Sequence, residues 1–418
     1  MKLEDIDLGM LDLWEGPIET RYEAFALLRA ERPIAFYEEP DPESDMFERG
    51  PGFWSLTRHR DVVEASRRAD LFCSGEGTNI LDVPPDLRDF IGSIINMDDP
   101  RHARMRRVVS KVFTPRSLEV LRSDVESIAT EVIDEVAEKG ECDFVTDIAA
   151  LLPLRVIVDL MGIPRSQERF IFDHTNLLLG FLDPEYVPEE TAEAVVAAVL
   201  TAVQGLASVV YELAEDRVKS PRNDLTTMLV TAEVEDDKLT PAELASFFIL
   251  LVGAGNETTR NAIAHGLVAL TQNPDQLALW QSDFDRLAPT AVEEIVRWAS
   301  PVQHFRRTVT QDGARLGDHE FSKGEKVVLW YGAANRDPEV FPDPNRFDIT
   351  RSPNDHVGFG GPGPHFCLGA HLARREITVM YRELFKRLPD LHTVGEPDRL
   401  RSNFIDGIKH LPVEFTPT

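Results

Sequence analysis

The residues with the clearest chemical potential lie in the segment HVGFGGPGPHFCLGAHLARREI, residues 356 to 377. Its glycines and prolines predict a loop, and the residues after Gly369 have the spacing of a helix. Cys367 is therefore a single thiol at the end of a glycine-rich loop, beside a helix start. The amides and the dipole at a helix N-terminus lower the pKa of a nearby thiol and donate hydrogen bonds to its sulfur.

Four uses of this thiol can be compared. A phosphate-binding loop needs GxxxxGK[ST], and this loop lacks both the lysine and the hydroxyl that follows it. A nucleophile paired with His365 is disfavoured, because side chains at i and i+2 diverge and no third residue orients the histidine. A buried, inert cysteine would not need such a loop. A thiolate ligand to haem iron explains more, because glycines let the backbone approach a porphyrin closely and one protein ligand suffices.

The stretch FGGPGPHFCLG resembles the haem-binding loop, FxxGxHxCxG, of the cytochrome P-450 monooxygenases. The resemblance implies that Cys367 is the metal ligand of haem b (iron protoporphyrin IX), with His365 and Gly369 also at the cofactor. One position departs from the pattern, since Gly360 stands where the phenylalanine is expected and Phe359 comes one residue earlier. We expect Phe359 at the cofactor, but which aromatic ring shields the sulfur stays open.

A second polar segment interrupts a long apolar helix. TPAE, from Thr240 to Glu243, predicts a capping box that starts a helix of about 32 residues, ending near Gln272. Its middle contains GAGNETT, where glycines, a carboxylate and hydroxyls break the apolar pattern. Such a conflict between local and global preference is expected at a functional site.

The AGNET part of this helix resembles the [AG]Gx[DE]T signature of the same family. The resemblance implies O2 as co-substrate, with Ala254 and Gly255 over the iron. Glu257 and Thr258 would then be the catalytic acid and alcohol, the threonine bonding the oxygen ligand and the glutamate relaying protons. The alternatives are a surface glutamate and a threonine that bonds back to the helix.

Basic residues upstream could hold the two propionates of a haem. MDDPRHARMRRVV places His102 and Arg106 four residues apart on one predicted helix face. By resemblance they serve one propionate, and His365 with Arg307 completes the set. Arg306 competes with Arg307 for this role.

A further motif concerns stability. EEIVR contains Glu294 and Arg297 three residues apart, and PDPNRF contributes Arg346. By resemblance to the ExxR and PxRF segments of the family, these three side chains form a structural network behind the haem and are not catalysts.

Composition sets the class of protein. The 418 residues are 43% hydrophobic, carry a net charge of -28 and include three cysteines without CxxC spacing. This excludes a disulfide framework and a four-ligand zinc site, and it argues against nucleic-acid binding. The acidic N-terminus predicts no signal peptide or membrane anchor, so we expect a cytoplasmic protein.

Helical periodicity dominates, and it predicts amphipathic helices over residues 115–139 and 190–218. The short strand-like segments PIAFYEE, GFWSLT, KVVLWYG and HLPVEF lie near the two ends of the chain. We therefore predict a mainly α fold with a minor β portion: the cytochrome P-450 fold, with the haem buried between the long central helix and the Cys-loop helix. His102 and Cys367 must meet at one haem in this interpretation. Residues 1–418 are accordingly predicted to form a single domain.

Longer segments resemble a narrower group. SFFILLVGAGNETTRNAIAHG, APTAVEEIVRWASPV and HFCLGAHLARREI are similar to the actinobacterial methyl-branched lipid omega-hydroxylases, and more loosely to steroid side-chain terminal hydroxylases. This implies hydroxylation of the terminal methyl of a branched lipid, an isoprenoid or a sterol side chain. Another hydrophobic substrate, such as a terpene or polyketide, and a non-catalytic haem-thiolate sensor are the alternatives. The predicted pocket walls are Ile94, Ile95, Phe181, Leu251, Ala254, Val302, Phe404 and Ile405.

Charge placement suggests how electrons arrive. Several basic residues could form a patch on the thiolate side of an acidic protein: Arg101, Arg104, Arg107, Lys111, Arg374 and Arg375. An acidic ferredoxin, itself reduced by a ferredoxin reductase, would be steered to such a patch. No flavin or nicotinamide motif is present in the chain, and we expect a monomer.

Overall fold

The computed structural model describes residues 1–40, 49–83, 85–110, 122–189, 191–232 and 238–418. Helices account for most of the regular structure in these ranges, and several 3-10 turns join them. In chain order the α-helices are α1 (Asp12–Glu15), α2 (Ile18–Glu31), α3 (His59–Arg67), α4 (Pro85–Gly92), α5 (Arg101–Ser110), α6 (Arg122–Asp134), α7 (Leu151–Met161), α8 (Glu168–Leu179), α9 (Ala192–Lys219), α10 (Leu225–Thr231), α11 (Pro241–Gln272), α12 (Pro274–Ser282), α13 (Phe284–Ala299), α14 (Tyr331–Ala334) and α15 (Ala370–Arg387).

The strands are short and form small sheets. They are β1 (Ile34–Tyr37), β2 (Phe53–Leu56), β3 (Phe72–Cys73), β4 (Glu141–Asp143), β5 (His304–Val309), β6 (Ala314–Leu316), β7 (His319–Phe321), β8 (Lys326–Trp330), β9 (His392–Thr393), β10 (Asp398–Arg399), β11 (Ile408–His410) and β12 (Pro412–Glu414). The largest sheet has the order β1-β2-β8-β5-β3, in which β2 and β8 are parallel and the other pairs antiparallel. The predicted mainly α fold with a minor β portion is confirmed.

Individual elements also agree with the sequence. The segments PIAFYEE, GFWSLT, KVVLWYG and HLPVEF contain β1, β2, β8 and β12. The helix predicted from residue 190 to 218 is α9. Of the helix predicted over 115 to 139, α6 is confirmed, and residues 111–121 lie outside the described part of the chain.

The chain divides into two compact units. The first consists of Met1–Arg88, Asp275–Cys367 and Arg399–Gly407. It contains the five-stranded sheet, and one side of that sheet carries an aromatic cluster in which the rings of Trp14 and Trp330 stack with centroids 5.0 Å apart. Burial of such rings makes a large apolar contribution to stability.

The second unit consists of Asp89–Pro274, Leu368–Asp398 and Ile408–Thr418. Its central element is α11, whose 32 residues extend over about 48 Å. The predicted capping box is present, because Thr240 accepts from the Glu243 N–H and the Glu243 carboxylate accepts from the Thr240 N–H. Tyr381 of α15 donates to the Ile263 carbonyl at 2.7 Å and so joins α15 to α11.

Two expectations concern the chain as a whole. The prediction that residues 1–418 form one domain stays a prediction. Within the described residues, α9 is the one helix that is long and apolar enough to cross a membrane, with a mean hydropathy of 2.0 over a window that is 33% buried. Length and apolar composition alone do not distinguish a spanning helix from other apolar helices.

Candidate active site

The thiol loop belongs to the first unit and has a defined backbone. The Cys367 side chain is exposed, and its N–H donates to the Phe359 carbonyl at 3.0 Å. Gly360 follows that phenylalanine with φ of +82°, a left-handed conformation that glycine adopts without strain. The residue that departs from the family pattern is therefore accommodated by a glycine turn. The centroid of the Phe359 ring lies 6.5 Å from that of Phe366, the residue before the cysteine.

Two further glycines hold this loop against α3. A Cβ at Gly361 would lie 2.5 Å from Ser66 Oγ, and one at Gly363 would lie 2.3 Å from the Ser66 carbonyl oxygen. Side chains at either position would push the loop away from the helix. The glycine content of the segment thus serves the close packing of the loop as well as its turn.

The chain enters α15 soon after the thiol. Gly369 is the N-cap residue of α15, and its carbonyl accepts from the Ala373 N–H at 3.0 Å. The predicted helix start is confirmed, with the first helical residue, Ala370, following Cys367 by three positions.

The ExxR motif of α13 is buried and bonded as expected of a structural network. Both Glu294 oxygens accept from Arg297 at 2.8 Å, and both side chains are 0% exposed. The prediction for Arg346 is wrong in one respect. Its side chain is exposed and its carbonyl oxygen accepts from Arg297 at 3.4 Å. The second guanidinium on Glu294 belongs to Arg351, whose Nε lies 3.1 Å from the carboxylate.

The two adjacent arginines of β5 have different surroundings. Arg306 donates to Asp82 at 2.5 Å and to the Glu76 carbonyl at 2.7 Å. Its guanidinium is thereby committed to the loop that follows β3. Arg307, which is 4% exposed, donates to the Arg306 carbonyl at 2.8 Å and also to the hydroxyl of Tyr331. Burial raises the pKa of Tyr331, and the Arg307 charge opposes that shift.

In the second unit, one stripe of α11 differs from the rest of the helix. Residues 244–270 are all described, and those among them that are not buried are Leu250, Leu251, Ala254, Gly255 and Thr258. This spacing places them on a single face. The Thr258 hydroxyl donates to the Ala254 carbonyl at 2.8 Å, as in the back-bonding alternative, and its side chain remains on the uncovered stripe.

Glu257 lies at the side of this stripe and is 1% exposed. Its Oε1 accepts from the Arg260 guanidinium and, at 3.1 Å, from Asn261 Nδ2. Arg260 in turn donates to Asn176 of α8 at 2.8 Å, and Asn261 Oδ1 accepts from the Ile408 N–H at 3.0 Å. The carboxylate is therefore not a surface residue, and its orientation is set by side chains that are tied to other elements.

Two basic residues of α5 were predicted to bind a propionate. His102 is 4% exposed, with Nδ1 3.5 Å from Asp99 Oδ1, and Arg106 is half-buried one turn later. Burial lowers the pKa of His102, Asp99 opposes that shift, and the Arg106 charge adds to it. The predicted common helix face is confirmed. Nearby, Arg104 donates to Glu243 at 2.7 Å and to the Lys238 carbonyl at 2.9 Å.

The predicted pocket residues fall into one group in each unit. In the first unit, Val302 pairs with Ile405 in an antiparallel bridge, and Gln303 N–H donates to the Phe404 carbonyl at 2.8 Å. Phe404 and Val302 are half-buried, whereas Ile405 is 2% exposed. These three residues are brought together by that local pairing.

In the second unit, the other predicted pocket residues belong mainly to one apolar cluster. Ile94 is buried in it, and Ile95 and Leu251 pack against it. Phe181, after α8, is half-buried and lies outside that cluster, and Ala254 is exposed. Ile94 is therefore packed within this cluster, while Leu251 and Ala254 lie on the uncovered stripe of α11.

Sequence reasoning missed some polar residues of the second unit. Glu376 of α15 is 3% exposed, and burial raises its pKa to about 8, although the Thr259 hydroxyl opposes the shift. Arg260 and Asn256 are buried on α11. The sequence signal that could have identified Asn256 and Arg260 is the presence of amide and charged groups inside an apolar helical pattern.

These groups fit a haem with a thiolate ligand. The first unit offers an exposed thiol on a glycine-rich loop and a buried arginine. The second offers an uncovered stripe that includes the small residues Ala254 and Gly255 beside a buried carboxylate, and a buried histidine with a half-buried arginine on α5. This is the donor set required by an iron porphyrin with anionic side groups.

The sequence matches the family described as cytochrome P-450 over residues 87–402. The chain belongs to this family and is a haem-thiolate monooxygenase that uses O2. A methyl-branched lipid omega-hydroxylase of Mycobacterium tuberculosis is 48% identical over 99% of this chain and 95% of that protein.

Two further comparisons agree with this assignment. A steroid C26-monooxygenase of Rhodococcus jostii is 41% identical over 94% of this chain and 82% of that protein. The structure of a Mycobacterium marinum cytochrome P-450 in complex with pseudoionone has a TM-score of 0.92, with 40% identity and 98% of each chain covered. The predicted family and fold are confirmed.

Proposed function

We propose that this enzyme hydroxylates the terminal methyl of a methyl-branched lipid, an isoprenoid or a sterol side chain. The observation that carries the proposal is the 48% identity, over nearly the full length of both chains, to a methyl-branched lipid omega-hydroxylase. One oxygen atom of O2 enters the C–H bond to form an alcohol. The other leaves as water with two electrons and two protons, which a ferredoxin and solvent supply.

The haem, when bound, supplies the oxygen-activating chemistry. In this proposal the Cys367 thiolate is the iron ligand, with Phe359 and Gly369 beside it. The small residues Ala254 and Gly255 would leave room for O2 beside the haem.

The propionates are assigned to four basic residues, of which His102 and Arg307 are buried and Arg106 and His365 are half-buried. His102 and Arg106 hold one of them, and His365 with Arg307 completes the set. The choice of Arg307 is supported by the commitment of Arg306 to Asp82 and to the Glu76 carbonyl. Buried carboxylates need such charged partners.

Thr258 and Glu257 handle protons. The Thr258 hydroxyl, on the uncovered stripe, would turn from the Ala254 carbonyl to donate a hydrogen bond to O2 in the active site. Glu257 holds the proton that follows, and Arg260 with Asn261 fixes its carboxylate. A general acid in such a position typically contributes about 10²- to 10⁴-fold in rate.

Selectivity for a terminal methyl requires the chain to enter end-on, because internal C–H bonds are weaker and would otherwise react first. The apolar candidates for this channel are Ile94, Ile95, Phe181, Leu251, Ala254, Val302, Phe404 and Ile405. Those on the uncovered stripe, Leu251 and Ala254, are assigned to the methyl end.

A basic patch is assigned to the ferredoxin. Arg101 and Arg107 are exposed on α5, and Arg374 and Arg375 are half-buried on α15. Arg104 is excluded as a principal contact because it bonds to Glu243, and Lys111 lies outside the described residues. We place the enzyme in the cytoplasm as a monomer.

The test combines spectroscopy with product analysis. The reduced protein with carbon monoxide should show the Soret band of a thiolate-ligated haem, and Cys367→Ser should abolish it. With a ferredoxin, its reductase and NADH, branched lipids should yield the terminal alcohol by mass spectrometry. Thr258→Ala, which keeps the carbon monoxide band, should consume NADH with little product.

Each negative result has a distinct meaning. Retention of the band in Cys367→Ser would refute the ligand assignment. A normal band without oxidation of isoprenoid, fatty-acid or sterol substrates would favour a haem-thiolate sensor. Oxidation only at internal carbons would refute the terminal selectivity, and preferred terpene or polyketide turnover would reassign the substrate.

A further inference from the structure

The face of α11 that contains Gly253, Asn256 and Arg260 packs against α8. The three positions recur at spacings of three and four residues and so share one helix face. The Arg260 guanidinium lies 5.9 Å from the ring centroid of Phe172 on α8. A Cβ built on Gly253 would lie 3.8 Å from Leu179 Cδ1 at the end of α8. Asn256 lies between these two contacts along the interface.

Asn256 has an unusual environment for an amide. Its side chain is 0% exposed, and neither Nδ2 nor Oδ1 has a hydrogen-bond partner among the described residues. A buried amide without partners is costly, and nearly all such groups in native proteins bond to protein or to ordered water. This residue therefore points to a small polar ligand in the interface.

Two neighbouring side chains have the same property. Glu257 Oε2 and Arg260 Nε are buried and have no hydrogen-bond partner within the described ranges, although other atoms of both side chains are bonded. Four such polar atoms thus occur on three residues within five positions of α11. A single buried polar atom without a hydrogen-bond partner would not indicate a site. Several such atoms on neighbouring residues, both donors and acceptors, indicate that a polar ligand binds there.

The glycine on this face adds no side chain of its own to the contact with α8. A Cβ at Gly253 would meet Leu179 Cδ1 at 3.8 Å, which is ordinary van der Waals contact, and no atom of the Asn256, Glu257 or Arg260 side chains within 4 Å. A buried water needs about two to four polar partners, and the four atoms on Asn256, Glu257 and Arg260 include both donors and acceptors.

We propose that the α11–α8 interface encloses a water-binding site formed by Asn256, Glu257 and Arg260. An ordered water accepts from Asn256 Nδ2 or Arg260 Nε and donates to Asn256 Oδ1 or Glu257 Oε2. Resting on the proposed function, we also assign this water as the group that restores a proton to Glu257. The water gives its proton to Oε2 and takes one from the next water, so no net charge accumulates.

Two substitutions test the water site separately from the stability of the fold. Asn256→Leu keeps the approximate volume and removes both amide partners. Gly253→Ala is the matched control on the same helix face, because its added methyl group meets Leu179 and none of the polar side chains within 4 Å, and alanine is favoured over glycine in a helix. Crystal structures at a resolution that shows water should reveal an ordered water in the parent and in Gly253→Ala, and no water at this position in Asn256→Leu.

The catalytic readout is the ratio of product to NADH consumed. Asn256→Leu should keep the carbon monoxide band and lose product severalfold, with more peroxide and a larger solvent deuterium effect, whereas Gly253→Ala should retain the parental ratio. Ser246→Ala, a buried polar change ten residues earlier on α11, is the control and should change none of these.

The outcomes distinguish the two parts of the proposal. A dry interface in the parent, together with a higher melting temperature for Asn256→Leu, would refute the water site. An ordered water whose removal leaves coupling unchanged would refute its proton role. Normal coupling in Glu257→Gln would refute the proposed relay itself while leaving the water site standing.

Discussion

The conformation of the loop that carries Cys367 depends on glycines, which have no side chain. Gly360 takes a backbone conformation that other residues adopt only with strain, and Gly361 and Gly363 allow contact with Ser66 that a Cβ would prevent. The loop that carries the Cys367 thiol is therefore packed closely against α3. Substitution of these glycines would shift the Cys367 sulfur indirectly, because it would move the loop backbone.

Glu376 gives a residue-scale prediction for stability. Burial raises its pKa from 4.5 to about 8, so the folded protein favours the neutral acid. For a raised pKa, the contribution to stability is complete below the unfolded value and is lost as the pH rises through the folded value. Unfolding by urea should therefore become easier between about pH 5 and about pH 8.

The variant Glu376→Gln should reduce this pH dependence, because a neutral amide cannot ionise. Glu212→Gln, at an exposed position on α9, is the matched control and should keep the parental profile. Equal pH dependence of the parent and Glu376→Gln would contradict the assignment.

At the scale of elements, α11 depends on its first turn. Glu243 closes the capping box with Thr240 and also accepts from Arg104 of α5. Although burial raises the pKa of Glu243, the bonds from Thr240 and Arg104 lower it further than burial raises it. One carboxylate thus serves both the start of the long helix and its attachment to α5.

Thr240→Ala should remove the cap and lower the free energy of unfolding by about 1 kcal/mol, as for other N-cap residues. The measurement is a urea titration at neutral pH. Thr201→Ala, which removes an exposed hydroxyl within α9, is the control and should have a smaller effect. Equal destabilisation by the two variants would show that the cap has no special role.

The whole molecule carries a net charge of -28, which should repel an acidic ferredoxin. A local basic patch can still attract it at short range, and the two effects have opposite salt dependence. If the patch dominates, added salt slows reduction of the enzyme. If the net charge dominates, added salt accelerates it.

We expect salt to slow reduction of the parent enzyme in stopped-flow experiments. Arg107→Glu should reduce the rate at low salt and weaken its salt dependence, because it reverses an exposed charge of the patch. Lys219→Glu makes the same change in net charge at an exposed position of α9. Identical behaviour of the two variants would eliminate the patch.

Much of the architecture was predictable because its signals are local. The helix from Thr240 to Gln272 follows from a capping box and a continuous apolar pattern, and both bounds are confirmed. The thiol loop was recognisable from the spacing of glycines, His365 and Cys367. The roles assigned to the individual site residues stay predictions.

Other features required contacts between distant segments. Arg306 and Arg307 are adjacent in sequence, and their different partners depend on the loop after β3 and on Tyr331. Arg351 takes the position on Glu294 that was predicted for Arg346, because the path of the intervening loop decides which guanidinium reaches the carboxylate.

By itself the sequence determined the family, the class of chemistry and the elements that carry it, since these depend on residue types at fixed spacings. Tertiary structure decided which polar groups of α11 are buried and what they contact. Asn256, Glu257 and Arg260 look like any polar interruption of a helix until α8 is seen to cover that face. Burial and partner choice arise from packing between segments that are far apart in the chain, and no local pattern encodes them.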